Sequence, residues 1–312
     1  MGFFNGEQIS TTVEKQPIME EIMTDFEKEV AELLAGDISD VVETDDDIFG
    51  ELEVSTGKNS GDIQNTLCGE FDMDAITNID VDLVLCIDVT SSMKPIIDTI
   101  KGMALSLYDD MIAALAKRRK VNEFRVKVIA FRDYYCDGQF AMAESCFFNL
   151  PDETAAFSEY VLNLKADGGG DEPENALEAI ALAMKSDWVH AISANEKARN
   201  IIVVFTDASA HPFEKAQDGV TKFYPDNMLT SLEDLKMAWE GQNRLDGAGM
   251  IDAYMMDSKA KRLIIYSPLD FYPWNEVALL TNVKTSSIEP AKGGQELDRE
   301  ILLDDLVAGL YR

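Results

Sequence analysis

The sequence predicts a three-layer α/β fold in which helices cover both faces of a mostly parallel central sheet, and three observations lead to this prediction. After Asp80, apolar runs alternate with segments of helical periodicity. Residues 81–89 and 200–207 are almost continuously apolar, which is typical of central parallel strands. Apolar residues recur at helical spacing over residues 95–117, so the element after the first strand is a helix.

The remaining segments complete the order of elements expected for a doubly wound α/β domain. Shorter segments predict strands at 124–134, 145–150 and 262–266. Helical spacing and capping residues predict helices at 152–165, 173–185, 231–242, 275–280 and 297–310.

The first quarter of the chain differs from the rest in charge and in pattern. Residues 1–80 carry 21 acidic and 3 basic side chains, a net charge of −18, and the other residues contribute −13 to the total of −31. An amphipathic helix is predicted at 17–34, where apolar residues recur every fourth position: Ile18, Ile22, Phe26, Val30 and Leu34. We therefore predict an acidic segment at 1–78 and an α/β domain at 79–312, and we hypothesise that the segment regulates a site of the domain in cis.

The net charge limits the classes of partner. An acidic surface repels phosphate backbones and anionic lipid headgroups, and the sequence contains no basic stripe of the kind that nucleic-acid binding requires. We expect neither a nucleic acid nor a membrane as the partner.

Cysteine usage and hydropathy predict a cytoplasmic location. The four cysteines, Cys68, Cys86, Cys136 and Cys146, are few for 312 residues, and we interpret them as reduced thiols. No run approaches the 18 apolar residues needed to span a bilayer, and the first residues lack the pattern of a secretory leader.

Oxygen-bearing side chains stand where predicted strands end. Asp88, Thr90 and Ser92 follow the first strand, Asp207 ends a later strand, and Asp171 precedes the helix at 173–185. In open α/β sheets, ligands bind beyond the carboxyl ends of the strands, and Mg²⁺ requires about six oxygen ligands. The sequence therefore predicts a metal site formed by these five residues.

The glycines before Asp171 favour the same interpretation. Gly168, Gly169 and Gly170 allow the backbone to turn sharply and to approach an ion closely. The three aspartates would repel one another if they converged without a cation, and a bound metal relieves that repulsion.

Four motifs resemble the von Willebrand factor A (VWA) family and its metal-ion-dependent adhesion site. They are D-x-T-x-S-M from Asp88, F-R-D-Y at 131–134, G-G-G-D-x-P-E at 168–174 and F-T-D-A at 205–208. The combination is similar to the branch seen in hemicentin-like proteins, alpha-kinase-linked VWA domains and bacterial tellurium-resistance-type VWA proteins. The resemblance implies that Asp88, Thr90 and Ser92 form the first metal loop, that Asp207 forms the third, and that Asp171 replaces the family's second-loop Thr.

The resemblance implies a protein-interaction function that depends on Mg²⁺, with Mn²⁺ or Ca²⁺ as alternative ions. In the family, a carboxylate of the partner fills an open position of the metal. Three carboxylates leave this site with a formal charge of about −1, so the open position could instead take water or a neutral oxygen. We expect a cytoplasmic bacterial scaffold or regulator of a stress-response or defence system, without catalytic residues; the alternative is a metal-dependent hydrolase acting on a phosphorylated substrate.

Two nearby features leave alternatives open. Arg132 and Asp133 form either a local ion pair that orders the loop or a direct contact to the partner. His211 follows Asp207 by four residues and either lines the rim of the site or is a structural residue.

Overall fold

The computed structural model describes residues 78–115, 120–170, 172–190, 196–213, 222–242, 256–268, 271–288 and 297–311. The predicted acidic segment at 1–78 lies outside these residues, apart from Asn78, and so does its predicted helix. Asp171 and Cys68 also lie outside the described residues. None of the other three cysteines forms a disulfide within the described residues, and Cys86 is buried.

Seven strands of the described residues form one sheet in the order β3-β2-β1-β5-β6-β7, with β4 also paired to β2. β1, β2, β5, β6 and β7 are parallel, and the short strands β3 and β4 pair antiparallel with β2. The strand bounds are Asn78–Asp88 (β1), Lys120–Phe131 (β2), Met142–Glu144 (β3), Phe148–Asn149 (β4), Glu196–Phe205 (β5), Lys261–Ser267 (β6) and Val283–Ser287 (β7).

Helices pack on both faces of this sheet. Their bounds are Ile97–Leu115 (α1), Tyr134–Asp137 (α2), Thr154–Asn163 (α3), Ala176–Met184 (α4), Leu232–Trp239 (α5), Trp274–Val277 (α6) and Arg299–Tyr311 (α7). Alternate residues of β1 point to opposite faces: Leu83 and Leu85 belong to the core with α1, α3 and α7, and Val84 and Cys86 to the core with α4 and α5. This arrangement confirms the predicted three-layer fold.

Within the described ranges, no helix combines the length and apolar character that crossing a membrane would require.

The strand order places a topological switch between β1 and β5. β1 pairs with β2 on one side and with β5 on the other, so the chain leaves the sheet centre in both directions. Ile87 lies opposite Phe205, and Asp88 lies opposite Phe131. The loops after β1, β2 and β5 therefore leave the sheet at the same level, where α/β folds bind ligands.

Three predicted elements differ most from the observed ones, and one observed strand is not predicted. Tyr134 was assigned to the second strand, but it begins α2 because the Asp133 side chain accepts a hydrogen bond from the Tyr135 backbone N–H at 2.8 Å and caps that helix. Within the predicted strand at 145–150, only Phe148–Asn149 is a strand, β4, and β3 precedes that segment. The predicted helix at 275–280 is the single turn α6. β7 was not predicted, since this edge strand is short and polar.

An ion pair with a buried carboxylate joins β1 to β2 near the middle of both strands. Asp82 accepts hydrogen bonds from Arg125 Nε at 2.7 Å and Nη2 at 2.6 Å, and from the Val189 backbone N–H at 2.6 Å. The Asp82 side chain is 1% exposed. These three donors satisfy a carboxylate that would otherwise be costly to bury.

We predict that Asp82→Ala lowers the free energy of unfolding by about 3 kcal/mol, because Arg125 loses its partner in a partly buried position. Urea denaturation measures the change. Asp98→Ala is the matched control, since Asp98 is 93% exposed and pairs with Lys101 at 3.7 Å; its loss should be much smaller. Equal losses in the two variants would contradict the role assigned to the buried pair.

Candidate metal centre

The loop after β1 is folded around the Asp88 carboxylate. Asp88 Oδ1 accepts hydrogen bonds from the Thr90 backbone N–H at 2.9 Å and from Thr90 Oγ1 at 2.6 Å. Both residues are buried, and a short 3₁₀ turn, Ser91–Met93, follows them. The aspartate thus fixes the turn that presents the next hydroxyl, that of Ser92.

Two hydrogen bonds join the loop after β5 to this turn. Thr206 Oγ1 donates to Asp88 Oδ2 at 2.7 Å, and Ser92 Oγ donates to Asp207 Oδ1 at 2.9 Å. The hydroxyls of Thr90 and Ser92 lie 3.0 Å apart. Four of the five predicted metal residues are therefore brought together, and the position of the fifth, Asp171, remains a prediction.

Thr206 is a residue of this centre that the sequence analysis did not include. Its side chain bridges the ends of β1 and β5, and its hydroxyl also accepts a hydrogen bond from the Ala208 N–H at 3.2 Å. In the sequence, the feature that points to this role is the position of Thr206 directly before Asp207 at the end of a strand.

The glycine-rich loop packs directly on the loop after β1. The Ser91 N–H donates to the Gly168 carbonyl at 3.1 Å, and Gly168 and Gly169 have φ angles of +77° and +73°. A Cβ atom on Gly169 would lie 3.1 Å from Cβ of Thr90. Glycine is required here because the conformation is left-handed and the backbone approaches another side chain closely.

These loops border an open cleft of about 420 Å³ whose described lining residues include no lysine or arginine. The lining residues are Thr90, Ser91, Ser92, Gly168, Gly169, Gly170, Glu172, Glu174, Asp207 and Ala208. The cleft is therefore lined by oxygen atoms and acidic groups, which are the ligands of hard divalent cations.

Burial and like charge disfavour the ionised carboxylates of this centre. Burial raises the pKa of Asp88 to about 6 despite its hydrogen bonds from Thr90 and Thr206, and the nearby Asp207 adds to the increase. The pKa of Asp207 is also raised, chiefly by burial. A cation bound in the cleft would relieve this cost by favouring the charged forms.

The donor set fits a cation that is held by hydroxyls as well as by carboxylates. In the described part of the chain, no three histidine, cysteine or acidic side chains are gathered closely enough to hold a metal by themselves. The hydroxyls of Thr90 and Ser92 lie between the carboxylates of Asp88 and Asp207, so they can complete the set of oxygen ligands.

Arg132 orders the neighbouring loops through backbone carbonyls. Its guanidinium donates to the carbonyls of Asp167 at 2.6 Å, Phe140 at 2.9 Å and Lys165 at 3.0 Å. The expected ion pair with Asp133 is not its main interaction, since Asp133 is buried at the start of α2. A guanidinium is suited to this task because it presents several donors in one plane.

Behind the cleft lies a buried polar cluster to which His211 belongs. His211 is 2% exposed, and its Nε2 lies 3.7 Å from Oδ1 of Asp133, so the structure favours the structural alternative over a position at the rim. In the same cluster, Tyr224 Oη donates to Glu178 Oε1 at 2.9 Å, and Asn175 Oδ1 accepts from the Tyr134 N–H at 2.7 Å. Burial raises the pKa of Glu178 to about 7.

Comparison with known proteins identifies the fold. Residues 82–227 match the family model of the von Willebrand factor A domain, and this region includes the loops after β1, β2 and β5. The match and the sheet order together show a VWA-type α/β fold. VWA domains are in general protein-interaction modules.

One curated relative and two solved structures are similar to parts of the chain. The alpha-protein kinase vwkA of Dictyostelium discoideum is 25% identical over 194 residues, which cover 59% of this chain and 28% of the kinase. A crystal structure of the pilus adhesin SpaC from Lactobacillus rhamnosus GG is 14% identical, with a TM-score of 0.31, and covers 41% of this chain and 15% of the adhesin. A second crystal structure of this adhesin, in its open conformation, is 9% identical, with a TM-score of 0.39. That match covers 73% of this chain and 30% of the adhesin.

The buried Glu178 predicts a pH-dependent contribution to stability. Its pKa in the folded protein, about 7, exceeds the ordinary value of 4.5, so the folded state favours the protonated form. The stability that comes from this preference for the protonated form is fully present below pH 4.5 and is lost as the pH rises to about 7. Relative to Glu178→Gln, the wild-type protein should therefore lose stability on the order of 3 kcal/mol across this window.

Thermal and urea unfolding at pH 4.5 and pH 8 measure this difference. The exposed Glu159→Gln serves as the control, and its difference from the wild-type protein should not change with pH. A constant difference for Glu178→Gln would show that the pKa of Glu178 is the same in the folded and unfolded states, and it would contradict the prediction.

Proposed function

We propose that this chain is a metal-dependent protein-interaction module that binds Mg²⁺, or alternatively Mn²⁺ or Ca²⁺, through Asp88, Thr90, Ser92, Asp171 and Asp207. The observation that supports this proposal most directly is the convergence of two hydroxyl–carboxylate pairs, Thr90 with Asp88 and Ser92 with Asp207, whose hydroxyls lie 3.0 Å apart beside the open cleft. These side chains come from loops after two adjacent parallel strands, the usual position of ligand sites in such sheets.

The directions of the hydrogen bonds favour cation binding. Thr90 Oγ1 donates its proton to Asp88, and Ser92 Oγ donates to Asp207. A hydroxyl whose proton is held by a carboxylate keeps oxygen lone pairs for a cation. When bound, the metal would supply an electrophilic position for an oxygen atom of the partner.

The charge of the cleft favours a neutral oxygen as that partner ligand. The combined negative charge of three ionised carboxylates, Asp88, Asp171 and Asp207, would exceed the charge of a divalent cation by about one unit. Two further acidic residues, Glu172 and Glu174, line the same cleft. A carboxylate of the partner would meet repulsion there. We therefore propose that an amide, carbonyl or hydroxyl oxygen fills the open position.

We propose binding without catalysis. His211, which could otherwise serve as a base, is buried behind the cleft, and Asp88 and Asp207 are themselves committed to the metal. Similarity over 28% of the kinase vwkA is no basis for proposing kinase activity. The wider proposal of a cytoplasmic bacterial scaffold or regulator in stress response or defence rests on the resemblance of the four motifs alone.

Metal binding predicts a stability change that depends on Asp88. Mg²⁺ at about 100 times its Kd should stabilise the wild-type protein by about 2.7 kcal/mol, because it binds only the folded chain. Asp88→Ala should abolish this response, since it removes an acidic ligand and the acceptor that orients Thr90. Asp98→Ala, an exposed substitution on α1, should keep the full response.

Differential scanning calorimetry with Mg²⁺ and with EDTA measures these responses. If Mg²⁺ changed the stability of the wild-type protein and of Asp88→Ala equally, the proposed metal centre would be contradicted.

Affinity capture distinguishes the interaction module from the alternative hydrolase. The wild-type chain should retain a protein partner from its native lysate in Mg²⁺, and lose it in EDTA or when Asp88 is replaced by alanine. Hydrolysis of a generic phosphoester is measured in parallel. Turnover that requires both Mg²⁺ and Asp88, without a retained partner, would favour the hydrolase.

A further inference from the structure

Glu174 is held rigidly between two loops of the candidate metal centre. Its backbone N–H donates to the Ser209 carbonyl at 3.0 Å, and its carbonyl accepts from the His211 N–H at 2.9 Å. These bonds form a parallel bridge between Glu174 and Ala210. The start of the α4 segment is thus attached to the loop that carries Asp207, and the position of Glu174 is fixed relative to that loop.

The Glu174 side chain is directed into the cleft although it is almost fully buried. The residue lines the cleft and is 4% exposed. A Cβ atom on Gly169 would lie 3.1 Å from both Glu174 Oε1 and Thr90 Cβ. The carboxylate and the Thr90 side chain therefore border the same small space beside the glycine-rich loop.

Within the described residues, Glu174 Oε2 has no hydrogen-bond partner. Burial, together with the like charges of Asp88, Asp133, Asp137 and Asp207, raises the pKa of Glu174 to about 9. A buried carboxylate without a compensating cation destabilises the folded state. The fold alone gives no reason for an acid at this position, because a neutral glutamine would have the same shape.

We infer that Glu174 is an additional acidic residue of the metal centre, which helps to hold the cation from the side of the glycine-rich loop. This inference rests on the proposed metal site and adds a residue to it. Because no three acidic, histidine or cysteine side chains of the described ranges can hold a metal together, Glu174 acts by its charge and as an acceptor for the water that completes the ion's shell.

Glu172 provides a matched comparison. It lines the same cleft and carries the same charge, but it is exposed. Solvent screens the charge of an exposed carboxylate more strongly than that of a buried one. Removing the charge of Glu174 should therefore affect the cation far more than removing the charge of Glu172.

Isothermal titration calorimetry of Mg²⁺ into the metal-free 312-residue chain tests this inference. Glu174→Gln should weaken Mg²⁺ binding about tenfold or more, which is typical when an outer partner of a metal site is lost. Glu172→Gln should weaken it much less. Unchanged affinity of Glu174→Gln, or equal losses in the two variants, would overturn the inference while leaving the proposed function intact.

Melting of the metal-free proteins separates a role in metal binding from a structural role. Glu174→Gln should melt at the same temperature as the wild-type protein or higher, because a buried carboxyl group whose Oε2 has no hydrogen-bond partner within the described residues has been replaced by a neutral group of the same shape. A lower melting temperature together with weaker Mg²⁺ binding would overturn the inference in favour of a structural role. Absence of Mg²⁺ binding to the wild-type chain would overturn both this inference and the proposed function.

Discussion

The Asp88 carboxylate is the group on which the geometry of the candidate site depends. It lies at the buried end of β1 and accepts three hydrogen bonds, two from Thr90 and one from Thr206. These bonds fix the turn that carries Ser92 and connect it to the loop after β5. A carboxylate in this position is unfavourable without donors or a cation, which is why the surrounding loops are so closely constrained. Other hydrogen bonds order the segments beside the cleft. Arg132 donates to three backbone carbonyls, and Trp274 Nε1 donates to the Ala208 carbonyl at 2.9 Å.

The cleft combines a strongly acidic lining with a rigid backbone. Its glycine-rich wall approaches Thr90 so closely that side chains are excluded, and its opposite wall is attached to Glu174 by a backbone bridge. Rigid walls keep the carboxylates from separating to reduce their repulsion. The resulting negative potential is the electrostatic reason to expect a cation here, and it is also the reason that an acidic partner ligand is disfavoured.

The central strands were predictable from the sequence because burial on both faces leaves a continuous apolar run, as in residues 81–89. The convergence of Asp88 and Asp207 followed from their positions at strand ends. β7 was missed because an exposed edge strand has no such run, and Tyr134 was misassigned because the capping role of Asp133 depends on a hydrogen bond rather than on a pattern. His211 and Glu174 could not be placed, because the bridge at Ala210 that turns the chain inward is a long-range contact. The acidic segment at 1–78, apart from Asn78, remains a sequence prediction.

The hydrogen bond between Thr206 and Asp88 joins residues that are 118 positions apart in the chain. Pairings between strands so distant in the chain form slowly, because closing the long intervening loop costs conformational entropy before the contacts of the pair are gained. A nascent chain that ends before residue 206 contains the loop after β1 but lacks Thr206 and Asp207. We therefore expect the cation site proposed here to be assembled late in folding, when the two halves of the sheet have met.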